Sequence, residues 1–120
     1  MTMSGTAAPH GAAEISEITD DTFAAEVLTA ELPVLVEFTA DWCPPCRQLA
    51  PVLAAVADEE RGRLKVVQLD VDRNPRTMIA YGVRSAPTLI VFRGGEPVQS
   101  MVGARSKRRL LQELAPVLEA

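Results

Sequence analysis

The chain contains only two cysteines, one histidine and one tryptophan among its 120 residues, and its apolar residues never form a long run. A membrane-spanning helix needs about 20 consecutive apolar residues, and no stretch of this sequence reaches that length. The single histidine, His10, has none of the companion ligands that a metal site requires. The sequence therefore predicts neither a membrane span nor a bound metal.

The chain also lacks the excess of positive charge that attracts nucleic acids and anionic membranes. Its net charge is −4, so we expect no partner of either kind. A hydrophobic fraction of 48% with 23% charged residues is typical of a globular protein, and the length suits a single domain. The one basic cluster, at positions 105–109, coincides with a predicted helix start and is interpreted as a solvated helix face.

Residues 1–13 are predicted to form a flexible N-terminal tail, and residues 14–120 a single domain. The tail is rich in small and polar residues, and it has neither the basic start nor the apolar stretch of a secretory signal. This composition favours a cytoplasmic location.

Apolar periodicity predicts alternating strands and helices along the domain. Strands are predicted at 14–18, 34–38, 64–71, 88–92 and 97–102, and helices at 22–30, 44–60 and 74–82 and from Ser106 onward. The first helix has N-cap candidates in Thr19 to Thr22, and the last is expected to bury Leu111, Leu114, Ala115 and Leu118. This order predicts an α/β fold in which helices flank both faces of a mixed sheet of four or five strands.

Both cysteines lie in one short motif, D-W-C-P-P-C-R, from Asp41 to Arg47. A disulfide across so small a loop stabilises a fold by roughly 2 kcal/mol, less than the about 3 kcal/mol expected for a 15-residue loop, so the pair makes a poor staple. A metal site would need further ligands from a second subunit. Reversible thiol–disulfide exchange, in which one thiolate attacks and the other resolves, suits the pair best.

The cysteine pair coincides with the predicted start of a helix. If Cys43 is the N-cap, the positive end of the helix dipole points at its sulfur and lowers the pKa of the thiol. Pro44 at the first helical position loses no useful donor, whereas Pro45 at the second removes one and leaves the Cys46 N–H as the main donor. Pro44 and Pro45 are therefore predicted to tune the redox potential, in either direction.

From about Ile15 onward the sequence resembles the thioredoxin family. The resemblance is carried by F-T-A-D-W-C-P-P-C-R, by A-P-T at 86–88 and by V-G-A at 102–104, in the family's order and spacing. It implies the thioredoxin fold and an oxidoreductase that reduces protein disulfides through a redox-active disulfide bond, without a bound cofactor. It further implies a monomer in electron transport and cell redox homeostasis, with thioredoxin reductase and disulfide-containing proteins as partners.

The resemblance also implies the roles of individual residues. Cys43 resembles the family's attacking cysteine and Cys46 the resolving one. Pro87 matches a cis-proline beside the disulfide. The implied docking surface for an extended protein substrate is a shallow apolar rim made of Trp42, Ala86, Pro87, Gly103 and Ala104.

Glu37 is the single charge in a predicted central strand, and it matches a position where the family usually has a buried aspartate beneath the resolving cysteine. Burial is expected to raise its pKa and to suit it as the proton acceptor for Cys46. Gln68 stands where a lysine often partners this acid, which should raise the pKa further. Thr39 stands where many members have tryptophan, and whether Glu37 fully replaces the aspartate stays open.

Two other functions remain open at this point. The altered pair of residues between the cysteines is compatible with a thiol oxidase or isomerase. A thioredoxin-fold binding module with incidental cysteines is the alternative outside catalysis.

Overall fold

The computed structural model describes residues 15–119. The predicted flexible tail, residues 1–13, lies outside the described residues. The strands are β1 (Ser16–Ile18), β2 (Val34–Thr39), β3 (Lys65–Asp70), β4 (Thr88–Arg93) and β5 (Glu96–Val102). The helices are α1 (Ala24–Leu28), α2 (Pro44–Glu59), α3 (Pro75–Ala80) and α4 (Lys107–Leu118).

The strands form one mixed sheet in the order β1-β3-β2-β4-β5. The β1–β3 and β2–β3 pairs are parallel, whereas β2–β4 and β4–β5 are antiparallel. Strand β2 is central and its residues from Val34 to Phe38 are all buried, as its nearly continuous apolar sequence predicts. The predicted α/β fold with a mixed sheet is therefore confirmed.

Alternate residues of β2 point into two hydrophobic clusters, one on each face of the sheet. On one face Val34, Val36 and Phe38 belong to a cluster that also includes Phe23, Val27 and Phe92, with Met78 and Tyr81 packed against it. On the other face Leu35 packs with α2 and α4 through Leu49, Leu53, Val56, Leu110 and Leu114. Helices thus cover both faces, and Glu37 shares the face of Leu35.

The first helix differs from its prediction. Instead of an α-helix over 22–30 capped by a threonine, the structure has a five-residue π-helix, α1, whose N-cap Phe23 makes no side-chain cap bond. Thr19 and Thr22 instead bond each other reciprocally, each N–H donating to the other's Oγ1, at 2.8 and 3.2 Å. These side chains close the preceding turn, and buried Phe23 and Val27 then anchor the wider helix against the sheet.

The last helix begins where predicted, since Ser106 is its N-cap and accepts a hydrogen bond from the Arg109 N–H at 3.1 Å. Its buried face is centred differently: Leu110, Leu114 and Val117 are buried, whereas Leu111 and Leu118 are only partly so. The apolar stripe is wide enough for two phases, and packing against α2 and the sheet selects the one that buries Leu110.

The basic cluster was predicted to be solvated throughout, and for Arg105 this is wrong. Lys107, Arg108 and Arg109 are exposed, but the Arg105 side chain is only 3% exposed and pairs with Glu113. A buried guanidinium requires such a partner, and the sequence pattern did not reveal it.

Two further properties concern residues 15–119 only. None of the helices in this range has both the length and the apolar character needed to span a bilayer. The same range contains no group of three or more histidine, cysteine, aspartate or glutamate side chains placed to bind a metal ion.

Candidate active site

The cysteine pair lies at the start of α2, directly after the turn that follows β2. Cys43 has extended backbone angles and is the N-cap of α2, and its Sγ accepts a hydrogen bond from the Cys46 N–H at 3.2 Å. Pro44 and Pro45 occupy the first two helical positions. The cysteines form a disulfide with Cα atoms 5.3 Å apart. The predicted N-cap arrangement is confirmed.

Two distant segments meet at this disulfide. The Ala86–Pro87 peptide bond is cis, as the resemblance implies, and the Ala86 carbonyl oxygen lies 3.3 Å from Cys43 Sγ. The Pro87 carbonyl oxygen accepts a hydrogen bond from the Gly103 N–H at 2.9 Å. Ala86, Gly103 and Ala104 are half-buried, whereas Pro87 itself is buried. The structure thus brings the three predicted motifs together.

Trp42 is exposed beside the disulfide, with 65% of its surface accessible. Its indole Nε1 donates to Asp72 Oδ2 at 2.8 Å, which fixes the ring across the turn after β3. A cleft of about 210 Å³ lies next to the ring, lined by Trp42, Val71, Asp72, Met78, Val83, Arg84, Ser85 and Ala86. An exposed aromatic ring beside an apolar cleft is a surface that can receive an apolar side chain.

Glu37 is buried under this surface, with 2% of its area exposed. Its Oε2 has no hydrogen-bond partner within the part of the chain that the structure describes. Burial raises the pKa of Glu37 from 4.5 to about 7, because the ionised carboxylate loses contact with water. Its neighbour in the β2–β3 register is Gln68, which carries no charge to offset the carboxylate. The predicted burial of Glu37 is confirmed, and a raised pKa follows from it.

A cavity of about 250 Å³ connects Glu37 with Cys46. It is lined by Glu17, Glu37, Thr39, Ala40, Asp41, Cys46, Arg47, Ala50, Gln68 and Asp70. Of these, Glu17, Asp41, Arg47 and Ala50 are exposed, so the cavity reaches the surface. A cavity of this size has room for several water molecules at about 30 Å³ each. Cys46 and Glu37 thus line one space that is open to solvent.

Sequence reasoning missed Asp72 as the partner of Trp42. The available signal was its place two residues after β3, whose carboxyl end lies beside that of β2. Acidic residues are common in such turns, however, and the sequence alone does not single this one out.

A sequence model of the thioredoxin family matches residues 14–116. This chain belongs to the thioredoxin family. It is 52% identical over 98 residues to a thioredoxin of Streptomyces clavuligerus, a match that covers 82% of this chain and 91% of that protein. It is 48% identical over 99 residues to thioredoxin 1 of Nostoc, covering 82% and 92%.

One relative, whose name combines two activities, matches this chain over only a part of the relative's own length. The bifunctional thioredoxin reductase/thioredoxin of Mycobacterium leprae is 49% identical over 102 residues, which are 85% of this chain and 22% of that protein.

The thioredoxin fold, the family match and the bonded C-x-x-C pair identify the activity class. The chain is a protein-disulfide reductase that acts by dithiol–disulfide exchange. The predicted reductase function is thereby confirmed, in preference to a binding module with incidental cysteines.

Proposed function

We propose that Cys43 is the attacking cysteine of this thioredoxin and Cys46 the resolving one. The observation that carries the assignment is the position of Cys43 Sγ at the N-cap of α2, where it accepts the Cys46 N–H. A thiolate there is stabilised by the helix dipole and by this donor, whereas Cys46 lies inside the first turn. A stabilised thiolate is the form that attacks a disulfide.

The exchange proceeds in two substitutions at sulfur. The Cys43 thiolate attacks one sulfur of the substrate disulfide, the substrate S–S bond breaks, and the leaving thiolate takes up a proton. The Cys46 thiol then loses its proton, attacks Cys43 Sγ and releases the second substrate thiolate, which is also protonated. The substrate gains two electrons and two protons, and Cys43 and Cys46 become a disulfide.

Glu37 is proposed as the acceptor of the Cys46 proton. Both residues line the same cavity, and a pKa of about 7 makes the Glu37 carboxylate a useful base near neutral pH. Water in the cavity can relay the proton from Cys46 to Glu37 and from Glu37 to solvent. Pro44 and Pro45 are proposed to tune the redox potential by stiffening the turn, and Pro45 also by removing a donor to Cys43.

The substrate rim comprises Trp42, Ala86, Gly103 and Ala104 together with the buried Pro87, whose cis bond shapes the backbone there. We propose that it binds an extended segment of the substrate protein. The nearness of the Ala86 carbonyl to Cys43 Sγ supports this role, because a strand paired there would bring its cysteine to the attacking sulfur. The exposed Trp42 ring supplies apolar contact area at one end.

The proposed electron donor is a thioredoxin reductase, which would return the disulfide to the dithiol. The Mycobacterium leprae relative, whose name joins a reductase to a thioredoxin, supports this partner. A protein that receives two electrons from a reductase and passes them to disulfides takes part in electron transport and redox homeostasis. We propose that it does so in the cytoplasm, as a monomer.

Trapping of mixed disulfides tests the assignment of the two cysteines. Cys46→Ser should attack insulin disulfides through Cys43 and remain bound, because the resolving thiol is missing. The adduct is measured by mass spectrometry, alongside insulin reduction by the unaltered chain with NADPH and thioredoxin reductase. Cys43→Ser is the matched control and should trap nothing. Equal trapping by Cys46→Ser and Cys43→Ser would contradict the assignment of the two cysteines. If the unaltered chain reduced no insulin and Cys46→Ser trapped none, the reductase function itself would be contradicted.

A further inference from the structure

Arg105 has a buried guanidinium group directly after the V-G-A segment of the substrate rim. Its Nη1 donates to both carboxylate oxygens of Glu113, at 2.7 and 2.8 Å. Its Nη2 donates to the Val102 carbonyl oxygen at 2.6 Å, and its Nε to that of Gly103 at 3.1 Å. All three nitrogens are therefore committed, and the planar fork of arginine suits this geometry.

The V-G-A loop at 102–104, to which Arg105 donates, also forms a hydrogen bond on its other side. The Gly103 N–H donates to the Pro87 carbonyl oxygen at 2.9 Å, and Gly103 has a φ of 96°, which favours glycine. One hydrogen bond thus fixes the loop to the segment beside Cys43. The guanidinium fixes the same loop to α4.

Glu113 is itself held in place, so Arg105 bonds a rigid part of the fold. Its backbone carbonyl oxygen accepts a hydrogen bond from Gln99 Nε2 at 2.9 Å, which ties α4 to β5. Arg109 adds an ion pair at 3.5 Å one turn away along the helix. Leu110 and Leu114, on either side of Glu113 in sequence, are fully buried in the core.

We propose that Arg105 is a positioning residue for the binding of protein substrates. By bonding the carbonyls of Val102 and Gly103, it holds this side of the substrate rim in the shape that receives an extended segment. None of its hydrogen bonds reaches Cys43 or Cys46, so sulfur exchange itself does not need it. The proposal rests on the substrate rim proposed above. It makes Arg105 a determinant of the preference for protein disulfides over small disulfides.

The test compares a protein disulfide with a small one in a single turnover. Pre-reduced protein is mixed with insulin or with 2-hydroxyethyl disulfide, and the fluorescence of Trp42, the one tryptophan, reports oxidation. In Arg105→Leu the insulin rate constant should fall about three- to tenfold, because the loop occupies its competent shape less often. The rate with the small disulfide should change by less than about twofold, and the reduction potential against glutathione should not change.

Arg105→Lys serves as the second variant. It keeps a charge opposite Glu113, but one ammonium cannot also span two carbonyls, so it should show the same selective loss to a smaller extent. It also carries the test if Arg105→Leu does not fold.

Arg93→Leu is the matched control. Arg93 Nη2 donates to the Val117 carbonyl oxygen, so it also joins the sheet to α4, but it lies at the opposite end of β4 from Pro87. Its loss should lower the melting temperature and leave the ratio of the two rates unchanged. A ratio changed as much as in Arg105→Leu would mean that the effect is general destabilisation, and would overturn the proposal.

Ala104→Glu separates a failure of this proposal from a failure of the substrate rim. It places a charge on the rim and keeps the fluorescent Trp42. An insulin rate unchanged by Ala104→Glu would overturn the rim. An unchanged ratio of rates in the Arg105 variants would overturn the role of Arg105, whatever Ala104→Glu shows.

Discussion

The buried carboxyl group of Glu37 lines a cavity that reaches solvent. Because burial raises its pKa to about 7, the protonated and ionised forms are both populated near neutral pH. A fully solvated carboxylate would be a much weaker base toward a thiol. The missing countercharge at Gln68 is therefore compatible with function, since an ion pair would hold Glu37 in the ionised form and lower its basicity.

Replacing Glu37 with Gln should slow resolution by Cys46 more than attack by Cys43. The amide fills the same space but accepts no proton, and the loss of a general base costs about a hundredfold in rate. Acid quenching followed by mass spectrometry should show the mixed disulfide accumulating. Glu17→Gln, at the exposed end of the same cavity, is the control and should resolve normally. Equal slowing of both steps would contradict the proton-acceptor role.

At the scale of single residues, what could be predicted depended on local pattern. One charge in an apolar strand revealed Glu37, and the C-P-P-C spacing revealed the cysteine pair. The Trp42–Asp72 bond joins residues 30 positions apart, and the Arg105–Glu113 pair joins a loop to a residue eight positions later in α4. Such contacts depend on how elements pack, which no local pattern encodes.

At the scale of elements, the start of α2 controls the chemistry of Cys43. The backbone N–H of Cys46 is the donor to Cys43 Sγ, because the proline nitrogens at the two preceding positions carry no hydrogen. The helix dipole therefore stabilises the Cys43 thiolate of the reduced form, whereas few backbone N–H groups donate to it directly.

Pro45→Ala should lower the pKa of the Cys43 thiol, because it supplies an N–H at the second helical position that can donate to the thiolate. A better stabilised thiolate also raises the reduction potential, since the reduced form gains. The pKa is measured from the ultraviolet absorbance of the thiolate against pH. Pro51→Ala restores a backbone donor in the same helix away from the sulfur, and it should leave the pKa unchanged. A shift in both variants would point to helix stability as the cause.

The hairpin between β4 and β5 offers a second test at this scale. Gly94 and Gly95 have φ angles of 58° and 81°. A Cβ on Gly95 would lie 2.9 Å from the Leu28 carbonyl oxygen, whereas one on Gly94 would meet nothing within 4 Å. Gly94→Ala should therefore cost only the left-handed backbone term, about 1 kcal/mol in the free energy of unfolding.

Gly95→Ala should cost about 1 to 3 kcal/mol more than Gly94→Ala, because the backbone of α1 must also move. Urea unfolding measures both variants, and an unchanged slope with urea would show that the compared states stay the same. An equal loss in the two variants would mean that the hairpin and α1 are not tightly packed.

The elements differ in how well the sequence predicts them. The long apolar runs of β2 and β3 and the caps of α2 and α4 are local signals, and those elements lie within a residue or two of their predicted bounds. The π-helix α1 is short, and its winding follows the burial of Phe23 and Val27. The buried face of α4 likewise depends on its neighbours, because two phases of its apolar stripe are nearly equivalent.

At the scale of the whole molecule, the sheet topology assembles the site from three distant segments. Strand β4 runs antiparallel to β2 with Phe38 opposite Thr88, so the residues after β2 lie beside those before β4. Thr88 in turn pairs with Val102 at the end of β5. The cysteine turn, Pro87 and the V-G-A loop therefore meet at one edge of the sheet, where chemistry gathers in open α/β folds.

Glu37 also links the stability of the whole fold to pH. Well below pH 4.5 the group is protonated in both the folded and the unfolded chain. As the pH rises toward 7 the unfolded chain ionises while folded Glu37 stays protonated, so the stability that comes from its raised pKa is lost. Each unit of pKa difference corresponds to about 1.4 kcal/mol, which makes the full loss about 3 kcal/mol.

Glu37→Gln should remove this dependence, because the amide does not titrate. The variant and the unaltered chain should unfold at similar urea concentrations near pH 4.5, and by pH 8 the variant should be more stable by about 2 to 3 kcal/mol. The oxidised protein is used, since bonded cysteines have no proton to exchange. Glu17→Gln is again the control, because it makes the same exchange of a carboxyl group for an amide at an exposed position. A constant difference at all pH values would instead assign the gain to packing, and would contradict a pKa near 7.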